Sequence, residues 1–141
     1  MMVYLDTGCL LKLYYPEPES GAVVATVTGE AIMFTPLHEL EMATAMQLKV
    51  FRGEARPEQA VAAAALVRED VVVGKLVEVA VDWPVALREA TRLAQTHAAK
   101  VGCRSLDILH CALAKVESGS APAGRDGKQD QTRPGRRRRR R

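Results

Sequence analysis

Three short apolar runs, at residues 3–5, 31–35 and 76–81, each give way to a stretch that opens a helix, and this alternation limits the fold more than any other feature of the chain. The runs are too short for helices and carry almost no polar positions. Such continuous apolar strands are buried on both faces, as in parallel sheets. After the first run, a helix over residues 7–14 places Leu10, Leu11 and Tyr14 on one face, and Pro16 and Pro18 stop it. A second helix is predicted over 19–28, before Gly29 breaks the chain. Pro36, tolerated in a first turn, opens a helix reaching residue 51. Pro57 starts another through 68, Trp83-Pro84 one through 99, and Ser105 is an N-cap for a last helix reaching 117. Strands separated by helices require crossover connections, which gives an α/β fold in three layers, a short parallel sheet flanked by helices.

The 141 residues suffice for one domain. No stretch approaches the ~20 apolar residues of a membrane helix. Asp6 and Lys12 interrupt the apolar start too early for a signal peptide, so the expected location is cytoplasmic, without membrane contact. Cys9, Cys103 and Cys111 are odd in number and lack zinc-ligand spacing; Cys9 and Cys111 read as buried small hydrophobes.

The net charge of +3 hides an uneven distribution. Residues 1–116 carry 11 Lys/Arg against 14 Asp/Glu, whereas residues 117–141 carry 9 against 3. From Gly119 onward there is no Val, Leu, Ile, Met or aromatic residue, and the chain closes on six arginines. The division expected is a domain over 1–118 and a disordered basic tail over 119–141. Arg, Gly, Pro and Ala are also the residues that GC-rich DNA yields when read out of frame, and a shifted frame is the expected origin of the tail.

Chemistry is expected at the carboxyl ends of the strands, where open parallel sheets bind ligands. Asp6 ends the first run, Glu39 and Glu41 lie early in the helix after the second, and Asp107 lies in the first turn of the last helix. Any one of these acids could simply face a helix N-terminus. Three together at one end of one sheet suggest more. Clustered carboxylates repel one another unless a cation sits among them. Hard oxygen donors suit Mg²⁺ or Mn²⁺, which accept substrate phosphate oxygens. Phosphodiester hydrolysis uses all of these properties.

Val3-Tyr4-Leu5-Asp6-Thr7 followed by Leu10-Leu11-Lys12-Leu13-Tyr14 resembles the opening of PIN-domain proteins. Thr35-Pro36-Leu37-His38-Glu39-Leu40-Glu41, with Ala45 beyond, resembles their second acidic motif, and Arg104-Ser105-Leu106-Asp107-Ile108-Leu109-His110 their third. The likeness covers residues 2–117, and among PIN proteins the VapC toxins of toxin–antitoxin pairs are nearest in length and layout. It implies a Mg²⁺-dependent (or Mn²⁺-dependent) endoribonuclease acting on single-stranded RNA and held by a cognate antitoxin, with a homodimer compatible. It assigns Asp6, Glu41 and Asp107 as metal-binding and catalytic acids. Glu41 is preferred to Glu39 by its spacing to Ala45, and the two point about 200° apart on a helix. Thr7 and Ser105 are supporting residues, by capping or hydrogen bonding, and His110 is expected to pack or stand behind the site. The family's fourth acid follows a further apolar strand; here Asp126 stands about where it belongs, without that strand.

Four alternatives compete. A phosphatase of the haloacid dehalogenase type would want a second Asp two residues after Asp6, where Gly8 stands. Asp6-Thr7-Gly8 matches the aspartic-protease tripeptide, but those proteins are all-β and this chain has helical periodicity. A nucleic-acid-binding module would act through the arginine-rich tail. A degenerate, inactive PIN domain would follow from the missing strand and acid.

Overall fold

The computed structural model describes residues 2–118. The segment 119–141, with Asp126, lies outside the described residues. Strands β1 (Met2–Val3), β2 (Ala31–Phe34) and β3 (Leu76–Glu78) form one parallel sheet with β2 in the middle. Val3 pairs with Ile32 and Ile32 with Leu76, so one row of side chains crosses all three strands.

Crossovers are helical, as the alternation demands. Helices α1 (Thr7–Leu11) and α2 (Ser20–Val27) join β1 to β2, and α3 (Pro36–Phe51) and α4 (Pro57–Val72) join β2 to β3. Beyond the sheet, α5 (Trp83–Leu93) runs through a π-helical turn at Ala94–Ala98 into the short α6 (Ala99–Val101), and α7 (Ser105–Ser118) follows. One core layer gathers Leu10, Tyr14, Ile32, Phe34, Met42 and Leu76 beneath α1, α3 and α4. The other gathers Leu37, Ala86, Ile108, Leu109 and Leu113 beneath α5 and α7. Ala86 and Ala112 have no exposed surface, and their small side chains let α5 and α7 approach closely. The chain beside β1 alternates between layers: Val3 and Leu5 pack on the first, Tyr4 on the second. The fold is therefore the expected layered α/β arrangement.

The elements differ from the sequence reading at their ends, for local reasons. β1 stops at Val3, and the Leu5 carbonyl accepts a bond from His38 Nε2 at 2.7 Å instead of a ladder bond. Helix α1 ends at Leu11, yet Tyr14 stays buried, its hydroxyl donating to Asp70 at 2.6 Å. Helix α4 continues past residue 68 to Val72 because nothing breaks it before Gly74, whose φ of +80° ends the run. β3 is three residues long; the Val79 amide makes a last bond to Phe34, and Asp82 then caps α5 through the Val85 amide. Cys111 is exposed rather than buried, since Ala112 and Leu113 beside it take the core-facing positions of α7. Among the described residues β1 pairs only with β2, so its other edge carries no strand.

Candidate active site

The carboxyl ends of β1 and β2 and the N-terminal half of α7 meet at one end of the sheet, and the polar side chains there are joined. Asp6 is in extended conformation and caps α1, its Oδ1 accepting from the Cys9 amide at 2.7 Å. That leaves the next residue, Thr7, free of capping. Its buried hydroxyl donates to Glu41 Oε1 at 2.9 Å and lies 3.1 Å from His110 Nε2. His110 Nε2 is 2.5 Å from the same Glu41 oxygen, and His110 Nδ1 is 2.6 Å from the Tyr4 hydroxyl. Residues separated by 34, 69 and 106 positions in sequence thus share one chain of bonds.

Helix α3 is held at this end by a cap of its own. Thr35 Oγ1 accepts from the His38 amide, and His38 Nδ1 accepts from the Thr35 amide at 3.0 Å. This is a capping box with histidine in the place usually taken by Glu or Gln. The other ring nitrogen reaches Leu5, which ties the start of α3 to the residue before Asp6. The His38 ring stacks on Phe34 and lies 5.0 Å from Tyr4 and 5.3 Å from His110, centroid to centroid.

The electrostatics follow the burial. Burial pushes the Tyr4 phenol well above its ordinary pKa, and the charges of Glu41 and Asp6 push it further, so Tyr4 keeps its proton and can donate. Burial holds the His38 imidazole below its ordinary 6.5; the bond to Leu5 and the charges of Glu41 and Asp6 oppose this, while His110 adds to it. Both rings feel Asp6 and Glu41, which places the two carboxylates in one neighbourhood.

The residues expected at the site divide as follows. Asp6 and Glu41 both lie close enough to Tyr4 and His38 to act on them, and Thr7 serves Glu41 by hydrogen bonding rather than as a cap. Glu39 is exposed and lines a different groove, between α3 and α4, as the helical rotation requires. Asp107 lies in the first turn of α7, one turn before His110, and its carboxylate accepts from the Arg104 amide at 3.3 Å. Ser105, expected to cap α7 from outside, is instead its first helical residue, and the Asp107 carboxylate bonds back to the preceding Arg104 amide. Asp126 lies outside the described residues. Sequence reasoning did not single out Tyr4 or His38: Tyr4 sits in an apolar run, and His38 is one polar residue among several at the start of a helix. Their signal was the placing of an aromatic hydroxyl and an imidazole beside predicted acids, where a plain apolar residue would pack as well.

Among the described residues no three His, Cys, Asp or Glu side chains are arranged to hold a metal ion. Mg²⁺, however, is commonly held by one or two carboxylates, with water and substrate phosphates completing the shell. The carboxylate oxygens of Asp6 and Glu41, which both act on Tyr4 and His38, are of the kind such an ion takes.

The family model described as PIN domain matches residues 3–131. The match continues past the last described residue, across Asp126. No curated protein matches the chain.

Proposed function

Because this chain belongs to the PIN domain family, whose members are generally nucleases, we propose that it is a metal-dependent endoribonuclease that cleaves single-stranded RNA, the toxin of a toxin–antitoxin pair. The observation that carries this reading is the bonded convergence of Thr7, Glu41 and His110 from three distant segments, beside Asp6, at the carboxyl end of a parallel sheet. A structural core has no need to bring a carboxylate to such a place and leave it partly open; the Glu41 side chain retains 23% of its surface.

In this reading Asp6, Glu41 and Asp107 are the metal-binding and catalytic acids. Asp6 and Glu41 would hold a Mg²⁺ or Mn²⁺ through their hard carboxylate oxygens, and such an ion would supply acidification of a water and offset charge on the attacked phosphate. Thr7 holds one oxygen of Glu41, and Tyr4 is anchored by packing with Leu37 and Ile108 in the core layer of α5 and α7. The test compares cleavage of single-stranded RNA by the wild type with that by Asp6→Asn, Glu41→Gln and Asp107→Asn. Each variant nearly preserves size and removes one charge, and each should lower turnover about 100-fold or more, the usual scale for losing an acid–base or ligand group. Wild-type turnover in all three would overturn the assignment.

The antitoxin part of the proposal draws on the groove between α3 and α4, about 510 Å³ in volume and floored by Phe34, Met42, Met46, Ala63 and Val67. Methionine-lined grooves adapt to an amphipathic partner segment. Helix α2 does not line it. Co-expression with a small neighbouring protein should give one co-eluting species; separate elution at every salt concentration would count against this part. A degenerate, inactive domain is the second reading, favoured by the lack of a three-residue metal group among the described residues.

A further inference from the structure

We propose that Tyr4 and His110 form a positioning relay that fixes the Glu41 carboxylate, so that one oxygen is held by protein and the other is presented to a cation. The inference deepens the nuclease reading and rests on it. It starts from the direction of the bonds. Glu41 Oε1 is a carboxylate oxygen and can only accept, so the N–H of His110 lies on Nε2 and Nδ1 is left to accept from the Tyr4 hydroxyl at 2.6 Å. With Nδ1 accepting that hydrogen bond, the N–H on Nε2 faces Glu41 Oε1 at 2.5 Å. The Thr7 hydroxyl donates to the same oxygen. Both donors therefore converge on Oε1, and no protein hydrogen bond falls on Oε2 among the described residues.

The relay is built into rigid parts of the fold. Tyr4 extends from β1 into the layer of α5 and α7, and His110 lies on the buried face of α7 between Leu109 and Ala112. The rings of Tyr4, His38 and His110 pack within 5.0 to 5.8 Å of one another, so neither imidazole can rotate away without opening the core. A histidine held in this way costs packing volume and two buried polar atoms, which a leucine would not. What it provides is a fixed donor aimed at one oxygen of one carboxylate. Partners that orient a metal ligand from behind are typically worth 10–100-fold in affinity or activity.

The experiment measures Mn²⁺ binding by titration calorimetry and RNA cleavage in parallel, on the full chain. His110→Leu removes the donor while keeping an apolar filling. It should weaken Mn²⁺ binding at least ~10-fold and lower kcat more than it raises KM for RNA. His110→Gln retains an N–H near the Nε2 position and should recover Mn²⁺ affinity to within ~3-fold of wild type. Tyr4→Phe deletes only the hydroxyl and should fall between the two. Should His110→Leu fail to fold, His110→Gln and Tyr4→Phe still decide the matter, because the relay requires the second to bind Mn²⁺ more weakly than the first. Equal Mn²⁺ affinity in wild type, His110→Leu and Tyr4→Phe overturns the relay. So does a Gln variant no better than Leu. Glu41→Gln separates this from the nuclease reading: if it binds Mn²⁺ and cleaves like wild type, the site assignment falls, whereas if it loses both and His110→Leu loses neither, only the relay falls.

Discussion

Glu39 and Glu41 are two residues apart on one helix, and their surroundings assign them different work. Glu41 turns inward to Thr7 and His110, while Glu39 looks into the groove between α3 and α4. Glu39→Gln should therefore leave RNA cleavage within about 3-fold of wild type, against the ~100-fold loss expected of Glu41→Gln. The reverse ranking in a steady-state assay would place the chemistry on the other face of α3. His38 yields a pH prediction. Its folded pKa lies below the ordinary 6.5, so the unfolded chain takes up the proton first as pH falls. The stability His38 contributes is complete above pH 6.5 and is lost as pH falls from there through the lower folded value. Melting temperature should drop between about pH 7 and pH 5, and His38→Gln should flatten that slope. An unchanged slope in the variant would mean that other groups govern acid sensitivity.

At the level of elements, capping and chemistry can be separated. Asp6 does both in this account, since it caps α1 and faces the site. Asn caps a helix about as well as Asp. Asp6→Asn should thus keep the melting temperature within a degree or two while cleavage collapses; a large loss of stability would make the cap the main role of Asp6. Thr35→Ala removes one side of the box that starts α3, and should cost about 1 kcal/mol, read as a shifted denaturation midpoint. The same elements show how much the sequence disclosed. The alternation of apolar runs with Pro-opened helices specified the parallel sheet and the order of its crossovers. Pro36 and Pro57 fixed two helix starts to the residue. Strand ends were less legible, because a bond such as that from His38 to the Leu5 carbonyl is a tertiary event with no local pattern. The choice of Glu41 over Glu39 rests on its spacing to Ala45, and the structure turns Glu41, not Glu39, toward Thr7. The bonds and ring contacts that join Tyr4, His38 and His110 were not legible, since they reach across up to 106 residues.

For the molecule as a whole, the edge of β1 that carries no strand among the described residues bears on how the chain should end. We propose that residues 119–141 arise from a shifted reading frame, a reading supported by the abrupt loss of apolar residues after Val116. A chain ending after Ser118 should then match the full chain in melting temperature and turnover, and restoring the alternative frame should raise both by covering the sheet edge. A sharp fall in RNA affinity on truncation would instead make the arginine run a functional, salt-sensitive contact. The central claim, that acids gathered at the carboxyl end of this sheet cut RNA with the help of a divalent cation, meets its most direct test in one assay. Purified full-length protein is incubated with an end-labelled single-stranded RNA in Mg²⁺, in EDTA, and in EDTA followed by excess Mg²⁺. The account predicts discrete cleavage in the first condition, none in the second and recovery in the third, with Asp6→Asn inert throughout. Cleavage that persists in EDTA, or that Asp6→Asn performs as well as wild type, would contradict it.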